Sequence, residues 1–345
     1  MAADAVQIEV VGPDGPREVR VSSAERVMWP QDGITKLELA QYVVRVGPAL
    51  VRALGDRPVT LQRFPGGVDG EAFYSKNPPR GVPAWVRTVP VTYPSGRSHP
   101  QLVVDETATA VWAVQMNTVT FHPWPVRTAD RDQPDELRID LDPQPGRGFQ
   151  DAVRAAHLLR ELLAELGLTG WVKTSGNRGV HVFARIRPEL EFLDVRHAAI
   201  GIGRELTRRD PDLLTMAWWK EERGARVFVD FNQTNRDRTI ASAYSPRPLP
   251  HAPVSTPVSW AELDDVDPAQ LTVRTVPGLL QRRGDPWEVM DDAVGSLDAA
   301  LDLWRADCER GLGELPFPPD HPKMPGEPPR VQPSRARQVP SESAD

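Results

Sequence analysis

Residues Leu137 to Pro143 read Leu-Arg-Ile-Asp-Leu-Asp-Pro, and no other stretch constrains the fold of this chain as strongly. Leu137, Ile139 and Leu141 alternate with Arg138, Asp140 and Asp142, the two-residue period of a strand with one apolar and one polar face. Pro143 stops the strand, and a long helical pattern follows. Asp140 and Asp142 therefore project together from one rigid edge, and hard divalent cations prefer such carboxylate oxygens. Spacing alone does not single the pair out, because Asp130/Asp132, Asp210/Asp212 and Asp265/Asp267 repeat it in polar, Pro-flanked sequence. Context does, and it leaves two readings: a metal site or a solvated strand end.

At 345 residues and 40% hydrophobic content the chain can bury a sizeable core, as one large domain or two small ones. Its single cysteine, Cys308, excludes a disulfide framework and points to a reducing compartment. There is no signal-like N-terminus and no apolar run near the roughly 18 residues of a membrane span, so a cytosolic protein without a membrane partner is expected. A net charge of −7 argues against non-specific coating of nucleic acid, though not against a local basic patch. Lysine occurs only at 36, 76, 173, 220 and 323, so most of the 41 basic residues are arginine. Arginine suits bidentate phosphate contacts; a GC-rich genome is the blander cause.

In chain order, Val6 to Val11 and Glu18 to Val21 form a hairpin about a Gly-Pro-Asp-Gly turn. Thr35 caps a helix that ends near Pro48 or Gly55, so Arg26 and Lys36 flank the loop before it. Strands are expected at Val59 to Phe64, carrying Arg63, at Trp85 to Tyr93 and at Gln101 to Val104, with Pro94 to Pro100 a surface loop. Between them Phe73 and Tyr74 are adjacent, so a strand would expose one of them, able to stack on a base, unless both pack in a core or sheet corner. Thr107 to Met116 is a short helix, and Thr118 to Trp124 a strand ending at His122.

A helix from Gly148 to Leu166 follows the Asp140 strand, with Gly167 at its C-terminus. Trp171 to Ser175 and Val180 to Ile186 are strands joined by Ser175-Gly176-Asn177-Arg178-Gly179. This is not a Walker loop, but its glycines, Ser175 and Arg178 could hold a phosphate, and His181 points back toward it. Asp194 caps a helix through Arg209, and Arg226 to Phe231 is a strand in which Asp230 is the only acid. An acid in Val-Phe-Val-Asp-Phe demands a charged partner or a metal. A last strand from Leu271 to Val276, a helix from Leu297 to Leu312 and, from Pro316 onward, a Pro-rich disordered tail or docking peptide complete the expectation. Three acids on two strands, a basic turn, two histidines and Arg247 together match one chemistry, metal-dependent nucleotidyl transfer.

Five fragments stand in order: Phe-His-Pro-Trp at 121–124, Asp-Leu-Asp-Pro at 140–143, Lys-Thr-Ser-Gly-Asn-Arg-Gly-Val-His at 173–181, Arg-Val-Phe-Val-Asp-Phe-Asn-Gln at 226–233 and Thr-Ile-Ala-Ser-Ala-Tyr-Ser-Pro-Arg at 239–247. From Ser22 to Leu312 the sequence so resembles the polymerase domains of bacterial ligase D, in the archaeo-eukaryotic primase superfamily. The resemblance implies an α+β fold, a primase-like core of mixed and antiparallel sheets flanked by helices. It divides the chain into a primase-polymerase domain over 1–312, with the hairpin at 1–21 and the family-like core at 22–312, and the tail at 313–345. Asp140, Asp142 and Asp230 resemble its metal-binding catalytic acids, with two ions, Mn²⁺ or Mg²⁺. Ser175, Gly176, Arg178 and His181 resemble the nucleotide-phosphate turn, with His122, Arg223, Gln233 and Arg247 in the same pocket. On the DNA side, Arg26 and Lys36 resemble the pair that binds a downstream 5′-phosphate, and Phe73 and Tyr74 the template-stacking aromatics, with Arg63 beside them.

The sequence departs from the family at Arg26, where lysine is usual, at Gln62, a position often basic, and at Leu249, which replaces an arginine that some members carry two residues after Arg247. No Lys-x-Asp-Gly ligase motif or nuclease module is present, as in standalone primase-polymerases that work beside a separate ATP-dependent ligase and an end-binding protein. The expected activity is addition of NTP or dNTP, ribonucleotides favoured, to a primer at gaps or broken ends, in the cytoplasm at the nucleoid. Two alternatives are a non-catalytic end-binding, ligase-recruiting module and a metal-dependent phosphatase or nuclease.

Overall fold

A computed structural model describes residues 5–316 apart from 14, 79, 80, 93–97 and 237. Strands β1 (Val6–Gly12) and β2 (Gly15–Val21) form the N-terminal hairpin, and β3 (Val27–Trp29) and β4 (Ile34–Thr35) lead into helix α1 (Lys36–Leu54). Thr35 and Glu38 close a reciprocal capping box at its start. The helix runs through Pro48, which lies on its exposed side, and stops at Gly55 in the left-handed region, the later of the two expected ends.

The first large sheet is built on β5 (Pro58–Arg63), which pairs with β6 (Phe73–Ser75), β8 (Ser98–Val103) and β9 (Thr118–Pro123); β7 (Thr88–Thr92) lies outside β8. Thr92 pairs with Ser98, so residues 98–100 belong to a strand and not to the expected surface loop; 93–97 lie outside the described residues. Helix α2 (Thr107–Gln115) separates β8 from β9 and packs with α1 over the first core.

The second sheet has the order β11 (Trp171–Thr174), β12 (Val180–Arg185), β10 (Glu136–Pro143), β14 (Val227–Asp230), β13 (Leu214–Thr215). All its pairings are antiparallel except β13 with β14. Leu137, Ile139 and Leu141 of β10, Val180 and Val182 of β12 and Val227 and Val229 of β14 face helices α3 (Phe149–Glu165) and α4 (Phe192–Arg209) in a second core. The other face is polar.

Two expectations need correction. Asp194 is not the cap of α4: Glu191 holds that position, and the Asp194 carboxylate reaches back to its N–H from the third helical residue. No strand spans Leu271 to Val276; Thr272 makes one bridge to Pro253, and Val276 already begins helix α5 (Val276–Arg283), with Pro277 in its first turn.

The short hairpin of β15 (Ser245–Pro246) and β16 (Val254–Ser255) joins the two sheets. The Phe121 N–H and the Thr120 hydroxyl of β9 donate to it, and the Thr174 N–H of β11 donates to the Thr256 carbonyl just beyond it. Below, Arg138 of β10 donates to the carbonyls of Pro123 and Trp124 at 2.8 and 2.9 Å. Arg57, Arg138 and Arg185 surround Asp135 and Glu136 in a buried ion network. The network holds both carboxyls below their ordinary range despite burial.

Helix α6 (Asp298–Glu309) packs on α4, and Arg196 and Arg204 of α4 bind carbonyls of residues 312–316. Beyond Pro316 the expected Pro-rich tail lies outside the described residues.

Candidate active site

The polar face of the second sheet forms the floor of a cleft of about 510 Å³. The period of β10 puts Asp140 and Asp142 on that face, and registers of the neighbouring strands supply the rest. Asp140 stands opposite His181 of β12 on one side and Asp230 of β14 on the other, while Asp142 stands opposite Phe228. The three acids share the cleft with His122, Ser175, Arg178, His181, Arg223, Gln233 and Arg247, and with Tyr74 at its rim.

Electrostatics follow from this crowding. Burial and the charges of Asp142 and Asp230 push the Asp140 carboxyl well above its ordinary value, and burial raises Asp142. The outer oxygens have local donors: Gln144 Nε2 reaches Asp142 at 3.1 Å, Gln233 Nε2 reaches Asp230 at 2.8 Å, and the Asn232 N–H binds the other Asp230 oxygen at 2.8 Å. Among the described residues no three acidic, histidine or cysteine side chains close on one point as ready-made ligands. The donor set still fits hard divalent cations, being three carboxylates on one face whose mutual repulsion a cation relieves.

Cationic side chains line the same cleft. Arg223 donates to the Ala217 and Trp218 carbonyls, its guanidinium carbon 3.4 Å from the Phe228 ring centroid, and its Nη1 is buried with no partner among the described residues. Arg247 donates to the Ser175 carbonyl at 3.0 Å and keeps a buried, unpartnered Nε. Buried donors of this kind await an acceptor. Arg178 stands exposed at the mouth.

The two histidines of the cleft add no positive charge to it. Burial first, then Arg247 and Lys173, push His122 down to about 3; burial, Lys173 and Arg247 push His181 well below its ordinary value. Both rings are neutral hydrogen-bonding groups near pH 7. The Ser175 hydroxyl accepts the Asn177 and Gly179 N–H groups at 3.2 and 3.1 Å, so it ties the turn instead of leaving those amides free. Gly176 does not line the cleft. Its φ of +72° and the 2.6 Å that a Cβ would leave to Arg247 Cγ show why glycine stands there.

The DNA-side candidates lie outside this cleft except Tyr74. Lys36 is buried beside exposed Arg26 and donates to the Ser22 carbonyl at 3.0 Å; burial and Arg26 push it down to about 8. Arg63 donates to the Met116 carbonyl and lies over Phe73 at 4.9 Å. Phe73 and Tyr74 are both exposed, where alternation led to the expectation of one, because β6 is a three-residue edge strand outside the apolar cores. Tyr74 meets His122 edge-on at 5.5 Å. Sequence reasoning missed Trp218, Phe228 and Arg238, which line the cleft. The two-residue period from Asp230 could have found Phe228; nothing in the sequence points to Trp218.

A family model described as LigD, primase-polymerase domain, matches residues 35–287. The chain belongs to the LigD primase-polymerase family. Among relatives of this family, the multifunctional non-homologous end joining protein LigD of Pseudomonas aeruginosa is 35% identical, over 78% of this chain and 32% of that protein. The protein of the same name from Mycolicibacterium smegmatis is 29% identical, over 88% of this chain and 40% of its own length. The chain thus spans well under half of these relatives. A solved structure, the polymerase domain of Mycobacterium tuberculosis ligase D in complex with DNA, matches with a TM-score of 0.75 and 30% identity, over 80% of this chain and 99% of that one. The α+β fold of mixed and antiparallel sheets flanked by helices is therefore that of LigD polymerase domains. The hairpin of β1 and β2 and helix α6 fall outside the matched range yet pack on it, through α2 and α4.

Proposed function

We propose that the chain is a template-directed nucleotidyltransferase of DNA repair, extending a primer 3′-hydroxyl at short gaps or broken ends and favouring ribonucleotides. The observation that carries this reading is the row His181, Asp140, Asp230 across three strands, with Asp142 on the same face and buried arginine donors lining the same cleft. Such a cleft offers carboxylates to cations and arginine donors to a polyphosphate. Membership of the LigD primase-polymerase family supports the same chemistry.

Asp140, Asp142 and Asp230 would hold two divalent ions, Mn²⁺ or Mg²⁺. Bound there, the ions supply acidity at the 3′-hydroxyl and charge stabilisation at the reacting phosphate. Arg223, Arg247 and Arg178 carry the positive charge that faces the triphosphate, and the unpartnered Nη1 and Nε give the first two a donor to spend on it. His122 and His181 add neutral hydrogen bonds, Gln233 holds Asp230 in place, and the turn fixed by Ser175 and Gly176 seats Arg247. Tyr74 and Phe73 offer exposed rings for a template base, and Arg63, Arg26 and Lys36 extend a basic path toward a downstream 5′-phosphate.

The functional unit comprises residues 1–312, with 313–345 as an appended tail. Gapped or broken DNA and nucleoside triphosphates are its substrates, and a separate ATP-dependent ligase and an end-binding protein its partners. No helix among the described residues is long and apolar enough to cross a membrane, and the place of action is the nucleoid.

Extension of a labelled primer across a short gap with a downstream 5′-phosphate tests the reading, with Mn²⁺ and with ribo- or deoxynucleotides. Template-dependent addition by wild type, lost in Asp140→Ala, is the expected result. No addition, or shortening of the labelled strand, would sink it.

A further inference from the structure

Asp230 has one support that reaches outside the cleft. Its Oδ1 accepts the Asn232 N–H at 2.8 Å, so the carboxylate is aimed by the turn that follows β14. That turn is itself pinned through the Asn232 side chain, which is buried. The Asn232 Oδ1 accepts from Asn235 Nδ2 at 2.8 Å and from Arg196 Nε at 3.1 Å, which occupies both of its lone pairs. Arg196 comes from α4, is 1% exposed, and also lies over the Phe231 ring at 5.5 Å.

The rest of this guanidinium binds the C-terminal segment. Nη1 donates to the Glu314 carboxylate, and Nη2 donates to the carbonyls of Leu315 and Pro316 at 2.8 and 3.3 Å. A buried charge requires such partners. His197 pairs with the same carboxylate, Arg204 holds the carbonyls of residues 312 and 313, and Leu315 packs on the second core. One arginine thus joins residues 314–316 to the residue whose N–H aims Asp230. The segment lies beyond residue 287, the end of the range that the family model matches.

We propose that Arg196 is a positioning residue for Asp230, and that residues 314–316, by supplying its counter-charge and acceptors, set how firmly that acid is held for a divalent cation. The proposal rests on the nucleotidyl-transfer reading for its consequence, though not for its geometry. The Glu314 side chain is half exposed, so the contact can be released from the surface without cutting into either core.

Hydrogen exchange of the full chain, resolved to single amides by NMR and run without metal, reads the support directly. Glu314→Arg places a second positive charge against Arg196. It is expected to speed exchange at the Asn232 N–H by about tenfold, the local opening that a lost anchor permits, while β10 and α4 stay protected. Glu314→Gln keeps an acceptor and should keep the protection. An unchanged Asn232 amide in Glu314→Arg overturns the proposal, and so does a loss of protection spread through β10 and α4, the mark of a merely structural contact. Calorimetric titration with Mn²⁺ reads the consequence: Glu314→Arg is expected to bind the ion about tenfold more weakly, the lower end of the range for groups that orient a metal's ligands, with the nucleotide KM at saturating Mn²⁺ unchanged. Because the effect runs through the Asn232 side chain, the same substitution in Asn232→Ala should weaken Mn²⁺ no further; another tenfold loss overturns the proposal. If wild type binds no Mn²⁺ and extends no primer, the functional reading falls, and the exchange result still decides what Arg196 does.

Discussion

Asp140 and Asp230 are direct partners across the antiparallel ladder of β10 and β14, two carboxylates side by side on one sheet face. Like charges so placed destabilise a sheet, and burial adds to the effect. The Asp140 pKa is raised on folding, so the folded protein binds more protons than the unfolded chain above the ordinary value of 3.8. Stability from this group is therefore lost as pH rises. Without metal, Asp140→Asn is expected to melt higher than wild type, by a margin that widens from pH 5 to pH 8, while primer extension disappears. Thermal melts in EDTA check the first part; a margin independent of pH would refute it.

Divalent cations should reverse that penalty. Mn²⁺ at a hundred times its dissociation constant is expected to stabilise wild type by about 2.7 kcal/mol and to leave Asp140→Ala/Asp142→Ala unmoved. Calorimetric melts with and without Mn²⁺ make the comparison, and EDTA should abolish extension.

The buried network under the cleft acts in the other pH direction. Asp135 and Glu136 have lowered carboxyl pKa values in the fold, so their stability is present above the ordinary carboxylate range and lost as pH falls through it. Arg57, wholly buried and bonded to Asp135 at 2.5 and 2.7 Å, is the partner whose loss matters most. Arg57→Met should destabilise the protein by roughly 3 to 5 kcal/mol at pH 7. Urea unfolding at pH 7 and pH 4 tests this, with a smaller effect expected at pH 4.

Gly176→Ala is a change of one methyl group with two consequences. The left-handed backbone and the contact with Arg247 should lower stability by about 1 to 2 kcal/mol. Displacement of Arg247 should raise the KM for nucleotide more than it lowers kcat, which steady-state extension would measure.

The proposed role of Lys36 at a downstream 5′-phosphate predicts that DNA-end binding depends on pH. Held down at about 8, it loses its charge as pH rises from 7 to 9, whereas an ordinary lysine would not. The preference for a 5′-phosphorylated over an unphosphorylated gap should therefore shrink across that interval and vanish in Lys36→Met. Fluorescence anisotropy with the two DNAs reads the difference; a preference constant with pH would exclude Lys36 from the phosphate site.

Much of this was legible in the sequence because it rests on short periods. The Leu137 to Asp142 alternation, the Thr35 cap and the Ser175 to Gly179 turn are local signals, and each stands where its chemistry puts it. The misplaced cap at Asp194 has the same origin, since a third-position acid and a capping acid look alike without the backbone. What stayed hidden depends on register between distant segments. The pairing of Asp140 with Asp230, the reach of Lys173 to Ser255 and the Arg57–Asp135 bond join residues far apart in the chain, and no local pattern encodes them. The neutral state of His122 was hidden too, because it follows from burial between two sheets.

The two faces of β10 also bind the history of the chain to its chemistry. Ile139 and Leu141 belong to the second core while Asp140 and Asp142 belong to the cleft. Insertion or deletion of one residue within this strand would exchange the faces, sending carboxylates into the apolar core and leucines into the cleft. Substitutions can drift at its apolar positions, but its length cannot, so selection for folding keeps positions 140 and 142 aimed at the cleft, while carboxylates at those positions cost stability and persist only where they are used.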